Sequence, residues 1–107
     1  MKKSLDIGKL KAVLSDNRFE WRKHVLQRLA EWGISQDSIL KVLFSGEVIE
    51  DYPDDKPYPS ALFLGWIRNR PLHVVAALDE ENDWAYIITT YEPGLEFFEP
   101  DFKTRKK

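Results

Sequence analysis

Apolar residues recur at helical spacing through the first part of this chain, and alternate or run together as in strands through the rest. Asp6 can cap a short helix that places Ile7, Leu10, Val13 and Leu14 on one face. Ser15-Asp16-Asn17 breaks it. Asn17 followed by Glu20 has the form of a capping box, which predicts a second helix running to about Trp32 and stopped by Gly33. Ser35 can cap a third helix, with Ile34 and Ile39 placed as a hydrophobic staple. Its buried face carries Ile39, Leu40, Val42 and Leu43, and Gly46 ends it.

Glu47 to Tyr52 alternates apolar and polar residues, so it reads as a strand. Pro53, Pro57 and Pro59 make the next stretch a loop. Ala61 to Ile67 reads as a strand and Arg68-Asn69-Arg70-Pro71 as a turn. Leu72 to Leu78 is almost wholly apolar, as a central strand would be. After a turn at Glu81-Asn82-Asp83, Trp84 to Tyr91 is rich in β-branched and aromatic residues. Leu95 to Phe98 is expected to add a short edge strand before a basic tail. Helices followed by a meander predict an α+β fold, with N-terminal helices packed on one face of a mostly antiparallel four- to five-stranded sheet.

The 107 residues suit a single domain spanning 1–107. With 43% hydrophobic and 13% aromatic residues the chain can bury a core. No apolar run approaches a membrane span, so no membrane association is expected. Asp6 and Lys9 interrupt the apolar stretch that a signal peptide would need after the basic Met1-Lys2-Lys3. The absence of cysteine excludes disulfides, thiolate metal sites and a cysteine nucleophile, and fits a cytoplasmic protein. The net charge of −2 is not that of a protein that coats nucleic acid. Bases nevertheless cluster at Arg22-Lys23, at Arg68/Arg70 and in the tail from Lys103 to Lys107, a separation that can still form a phosphate-binding face.

Both histidines of the chain lie near arginines. On a helical wheel Trp21, Val25, Leu29 and Trp32 form an apolar stripe, Arg28 sits at its border, and His24 shares a face with Arg28. That arginine either snorkels over the tryptophans or reaches into a groove. His73 lies in the predicted central strand, with Val75 and Ala77 on its side and Leu72, Val74 and Ala76 on the other. It is either a core histidine satisfied by a carbonyl, a Tyr or a Thr, or a proton carrier. Thr90 and Tyr91 point to opposite faces of the next strand, so at most one shares the face of His73. No metal-ligand spacing, phosphate loop or serine nucleophile elbow is present, and no cofactor is expected.

Taken in order, His24-x-x-x-Arg28, Trp32-Gly33-Ile34-Ser35, Gly46 to Tyr52, Pro71-Leu72-His73-Val74-Val75 and Ile87 to Pro93 resemble the bacterial domain of unknown function 4258 family over about residues 19 to 105. That family is grouped with RelE and barnase-like toxins, small α+β ribonucleases, and resembles MqsR-type toxins in being encoded beside an antitoxin. The resemblance implies a cytoplasmic, metal-independent endoribonuclease with an RNA substrate and an antitoxin protein as partner. It carries the family's helix histidine and arginine onto His24 and Arg28, and its strand histidine, with a preceding basic residue, onto His73 and Arg70. Its threonine–tyrosine pair falls on Thr90 and Tyr91 and its late arginine on Arg105. Trp32 stands where the family often has a base, which removes one possible phosphate contact.

In such an enzyme His24 and His73 would exchange protons with the ribose and the leaving oxygen, while Arg28 and Arg70 neutralise the phosphate. Thr90, Tyr91 and Arg105 would bind substrate. This requires the helix pair and the strand histidine to share one cleft. The competing expectation is a non-catalytic protein-binding module of the same fold, docking a partner through Phe97, Phe98 and Phe102, unless these rings cover an open edge of the sheet.

Overall fold

The computed structural model describes residues 4–106; the extreme basic ends, Met1 to Lys3 and Lys107, lie outside the described residues. The elements are α1 (Ile7–Ser15), β1 (Phe19–Trp21), α2 (Lys23–Trp32), α3 (Gln36–Ser45), β2 (Glu47–Tyr52), β3 (Ser60–Ile67), β4 (Arg70–Asp79) and β5 (Trp84–Tyr91). The α+β expectation therefore holds, with a five-stranded sheet in the order β1-β5-β4-β3-β2. All pairings are antiparallel except β1 with β5. Among the described residues no helix is long and apolar enough to cross a membrane.

The helix boundaries follow from their end residues. Asp6 accepts the Lys9 amide at 3.0 Å and Ser35 accepts the Ser38 amide at 3.1 Å, caps worth about 1 kcal/mol each. Gly33 closes α2 in the left-handed region at φ 66°, where a side chain would be strained. Leu10, Val13, Val25, Leu29, Ile39 and Leu43 meet Ala61, Phe63, Leu72, Val74, Ala76 and Ile87 in one core. The helices thus cover the sheet face that carries Leu72, Val74 and Ala76. The β3–β4 hairpin turns through Arg68 and Asn69, both at positive φ, as a two-residue turn of the right twist requires.

Two expectations are corrected. Asn17 and Glu20 do not open a helix. Asn17 sits at φ 58°, and Phe19–Trp21 pairs parallel to Ala85, Tyr86 and Ile87. The Glu20 carboxylate accepts the Trp84 indole N–H at 3.0 Å instead of capping, while Phe19 and Trp21 turn onto the core. A strand of this length has too few residues to show its period against a neighbouring helical pattern. The expected edge strand from Leu95 to Phe98 is also absent. Residues 94–106 form turns, joined to each other by an isolated bridge between Phe98 and Arg105. They lie over the face of the sheet rather than along its edge.

Candidate functional site

The face of the sheet away from the helices carries a polar cluster centred on β4. His73 is fully buried, and both ring nitrogens are engaged. Nε2 lies 2.7 Å from the Phe102 carbonyl oxygen and Nδ1 lies 3.2 Å from the Tyr91 hydroxyl. A carbonyl only accepts, so Nε2 carries the proton and the Tyr91 O–H donates to Nδ1. The Phe98 ring stands edge-on to the imidazole, centroids 4.7 Å apart. Burial pushes the His73 imidazole below its ordinary value, against the Phe102 carbonyl and the Glu50 charge, which raise it.

Glu50 and Tyr52 reach this cluster from β2. Arg105 grips the Glu50 carboxylate through Nε at 2.7 Å and an Nη at 3.1 Å, and the Tyr52 hydroxyl donates to the same carboxylate. Arg105 holds the Glu50 carboxyl below the usual range against the effect of burial, with the Tyr52 hydroxyl acting in the same direction as Arg105. Burial, then Glu50, pushes the Tyr52 phenol up to about 12. Burial also raises the Tyr91 phenol. The Arg105 guanidinium lies 4.9 Å from the Phe98 ring centre. The cluster therefore combines a neutral imidazole, a fixed carboxylate, two phenols and a guanidinium.

Two register shifts assemble it. Between Val48 and Glu50 the pairing with β3 slips, so that Glu50 opposes Leu62 and Tyr52 opposes Ser60. Had the register continued unbroken, Ile49 would oppose Leu62 and Glu50 would oppose Ala61, whose side chain faces the helices. Between Val75 and Ala76 the pairing with β5 slips around Ile88. Ile87 can then face the core with Ala76 while Tyr91 opposes His73 on the other face. Strict alternation would have sent Tyr91 to the side of Ile87. Bulges that re-aim side chains in this way are concentrated near active sites.

The remaining sequence-predicted residues lie elsewhere. Arg28 donates to the Thr90 carbonyl at 2.8 Å and lies 5.8 Å from the Trp32 ring centre, on the helix side of the sheet. Thr90 is buried and its hydroxyl donates to the His73 carbonyl at 2.9 Å. Arg70 pairs with Glu92 at 2.5 Å and lines a cleft of about 130 Å³ with Ile34, Ser35 and Leu72, again on the helix side. His24 is exposed on α2. The sheet thus separates His24, Arg28, Arg70 and Thr90 from His73, Tyr91 and Arg105, and the expected shared cleft of two imidazoles does not form. The reason is that Leu72, Val74 and Ala76 must face the helices, which sends His73 the other way. Glu50 and Tyr52, not singled out from the sequence, had one visible signal: they are two apart on an alternating strand.

No curated protein and no solved structure matches the chain. Residues 21–92, more than half of it, match the family described as Domain of unknown function (DUF4258), and the protein belongs to that family.

Proposed function

We propose that this chain is a metal-independent endoribonuclease of the RelE/barnase-like type, the toxin of a cytoplasmic bacterial toxin–antitoxin module, with its reaction centre at His73. The observation that carries this reading is the pair of bulges that turns Glu50, Tyr52 and Tyr91 onto the face of a buried histidine. A core histidine needs only its two ring nitrogens satisfied. The carboxylate, guanidinium and second phenol beyond them are what acid–base work on a phosphodiester uses.

In the reaction the ribose 2′-oxygen attacks the adjacent phosphorus, forming the O2′–P bond and breaking the P–O5′ bond. Once the Phe102 carbonyl leaves Nε2, the Tyr91 oxygen can accept from Nδ1–H, which frees Nε2 to take the 2′-hydroxyl proton. The imidazolium so formed passes that proton to the departing O5′. Glu50 stabilises the imidazolium, and Arg105 neutralises the phosphoryl oxygens. The products are a 2′,3′-cyclic phosphate and a 5′-hydroxyl. Arg28 and Thr90 act from the far side of the sheet by fixing the backbone behind His73 and Tyr91.

The test is cleavage of single-stranded RNA by the full chain in the presence of chelator. His73→Ala is expected to lower the rate by about 100-fold or more, in line with the loss of a general acid–base group. His24→Ala should leave it unchanged. Undiminished cleavage by the His73 variant would remove the site.

A second reading, a protein-binding module of this fold, is favoured by one observation. Leu95 and Phe97 are 52% and 67% exposed on the C-terminal segment. Such side chains could bind an antitoxin, and harmless overexpression of the chain in bacteria would favour this reading over the toxin.

A further inference from the structure

Residues 94–106 cover the proposed reaction centre, yet they are joined to the rest of the fold in an unusual way. Their backbone hydrogen bonds are internal. Phe97 and Phe98 donate to the Gly94 carbonyl, Phe102 to Glu99, Glu99 to Thr104, and Lys106 to Phe97. The Asp101 carboxylate braces the turn by accepting the Lys103 and Thr104 amides at 2.9 and 3.0 Å, and the Thr104 hydroxyl at 2.9 Å. Among the described residues no backbone–backbone hydrogen bond ties the segment to the strands beneath it. It is held by the Phe98 ring on His73, the Phe102 ring against Trp66, the Phe102 carbonyl on Nε2, and the ion pairs Arg105–Glu50 and Lys103–Glu47. The Lys103–Glu47 pair is exposed and holds weakly because water screens it, whereas the bidentate Arg105–Glu50 pair, with Glu50 half-buried, is the firmer attachment. A self-braced loop fixed by side chains can swing off His73 about the Arg105–Glu50 pair without breaking a sheet ladder.

What the segment places in the site also resembles a ligand. An oxygen acceptor sits on Nε2, where a ribose hydroxyl would have to sit to be deprotonated. A flat ring stands beside the imidazole, where a base of single-stranded RNA could pack. Arg105 remains beside Glu50 as the local cation.

We propose that residues 94–106 are a strap that occupies the His73 site in cis and is displaced by single-stranded RNA, so that strap and substrate compete. This rests on the ribonuclease reading for the identity of the competitor, though not for the existence of the cover. The strap closes the site without blocking the fold, because its brace, Asp101, lies outside the reaction centre.

The experiment loosens the strap without touching the site. Asp101→Ala combined with Lys103→Ala removes the brace and one ion pair, both at exposed positions. Reaction of each histidine with diethyl pyrocarbonate is followed by peptide mass mapping, with exposed His24 as the internal reference. In the wild-type chain His73 is expected to react at least 10-fold more slowly than His24, and loosening should raise its reactivity at least 10-fold. Cleavage of a uridine-rich RNA oligomer should improve at least 5-fold in kcat/KM, through KM rather than kcat. A 2′-fluoro oligomer, which binds without being cleaved, should speed tryptic cutting after Lys103 and Arg105 in the wild-type chain. Trp66→Ala, at an exposed position, removes the ring that holds Phe102 and provides a second variant with Arg105 in place.

His73 that stays unreactive in the loosened chain, together with unchanged tryptic cutting, overturns the strap even if RNA is cleaved. His73 that opens while no variant cleaves RNA leaves the cover standing and rejects the ribonuclease reading. Loosening that raises kcat and leaves KM unchanged overturns competition.

Discussion

Burial disfavours the charged form of His73, and its carbonyl acceptor is already used by Nε2–H. Its folded pKa lies below the ordinary value of 6.5, so the unfolded chain binds this proton first as pH falls. The sign follows: stability from the neutral ring is complete above that value and is lost as pH falls toward the folded pKa. The lowered carboxylates, Glu50, Asp79, Asp83 and Asp101, titrate below this window, so they do not obscure it. Urea denaturation midpoints of the wild-type chain are therefore expected to fall between pH 7 and pH 5. His73→Gln, which keeps a polar side chain but no titration, should flatten that slope even if its stability at pH 7 is lower. An equal slope in both chains would mean that the ring is not the sensing group.

Element by element, the pattern of polar and apolar positions specified α1, α3 and β2 to β5 well. Each has a cap, a glycine or a clean period. It missed β1, whose role is defined by main-chain pairing with β5, and it missed the bulges, which one extra apolar residue, Ile49 or Ile88, does not announce. The glycines at the ends of α2 and α3 show that similar punctuation has different causes. Gly33 stands in open space at positive φ, so Gly33→Ala meets only the backbone penalty, about 1 kcal/mol. Gly46 has an ordinary φ, but an added Cβ would lie 2.4 Å from the Val42 carbonyl oxygen and 2.6 Å from that of Leu64. Both neighbours are backbone at the α3–β2 junction. Gly46→Ala should therefore cost more, about 1–3 kcal/mol or above, as overpacking does. Thermal unfolding checks the order, since about 1 kcal/mol shifts the midpoint by roughly 4–8 °C in a domain near this size. A Gly33 variant less stable than the Gly46 variant would reverse the assignment.

For the whole molecule, the two sides of the sheet decide what was legible of the site. The apolar run of β4 and the helical stripes together required Leu72, Val74 and Ala76 to face the helices, so the separation of His73 from Arg28 was implicit in the sequence. That C-terminal residues would return across the open face was not, because turns with aromatic residues carry no periodic signal. The same division governs how RNA would bind. Among the described residues, the cations held on the open side are Arg105 with Glu50, Lys103 with Glu47, and Arg22 over the Tyr86 ring at 4.9 Å, with Lys106 exposed beside them. With a net charge of −2 the chain carries no overall excess of basic residues to add to them. Each phosphate neutralised on a single strand contributes about −0.7 to the slope of log affinity against log salt. One or two such contacts give a slope of roughly −0.7 to −1.4. Fluorescence titration of the His73→Ala chain with a single-stranded oligomer across a salt series should return a value in that range. Arg105→Ala should remove about one contact's worth of it. A slope near that of a protein gripping many phosphates would place the RNA on the helix side, along Arg28, Arg68 and Arg70, and away from His73.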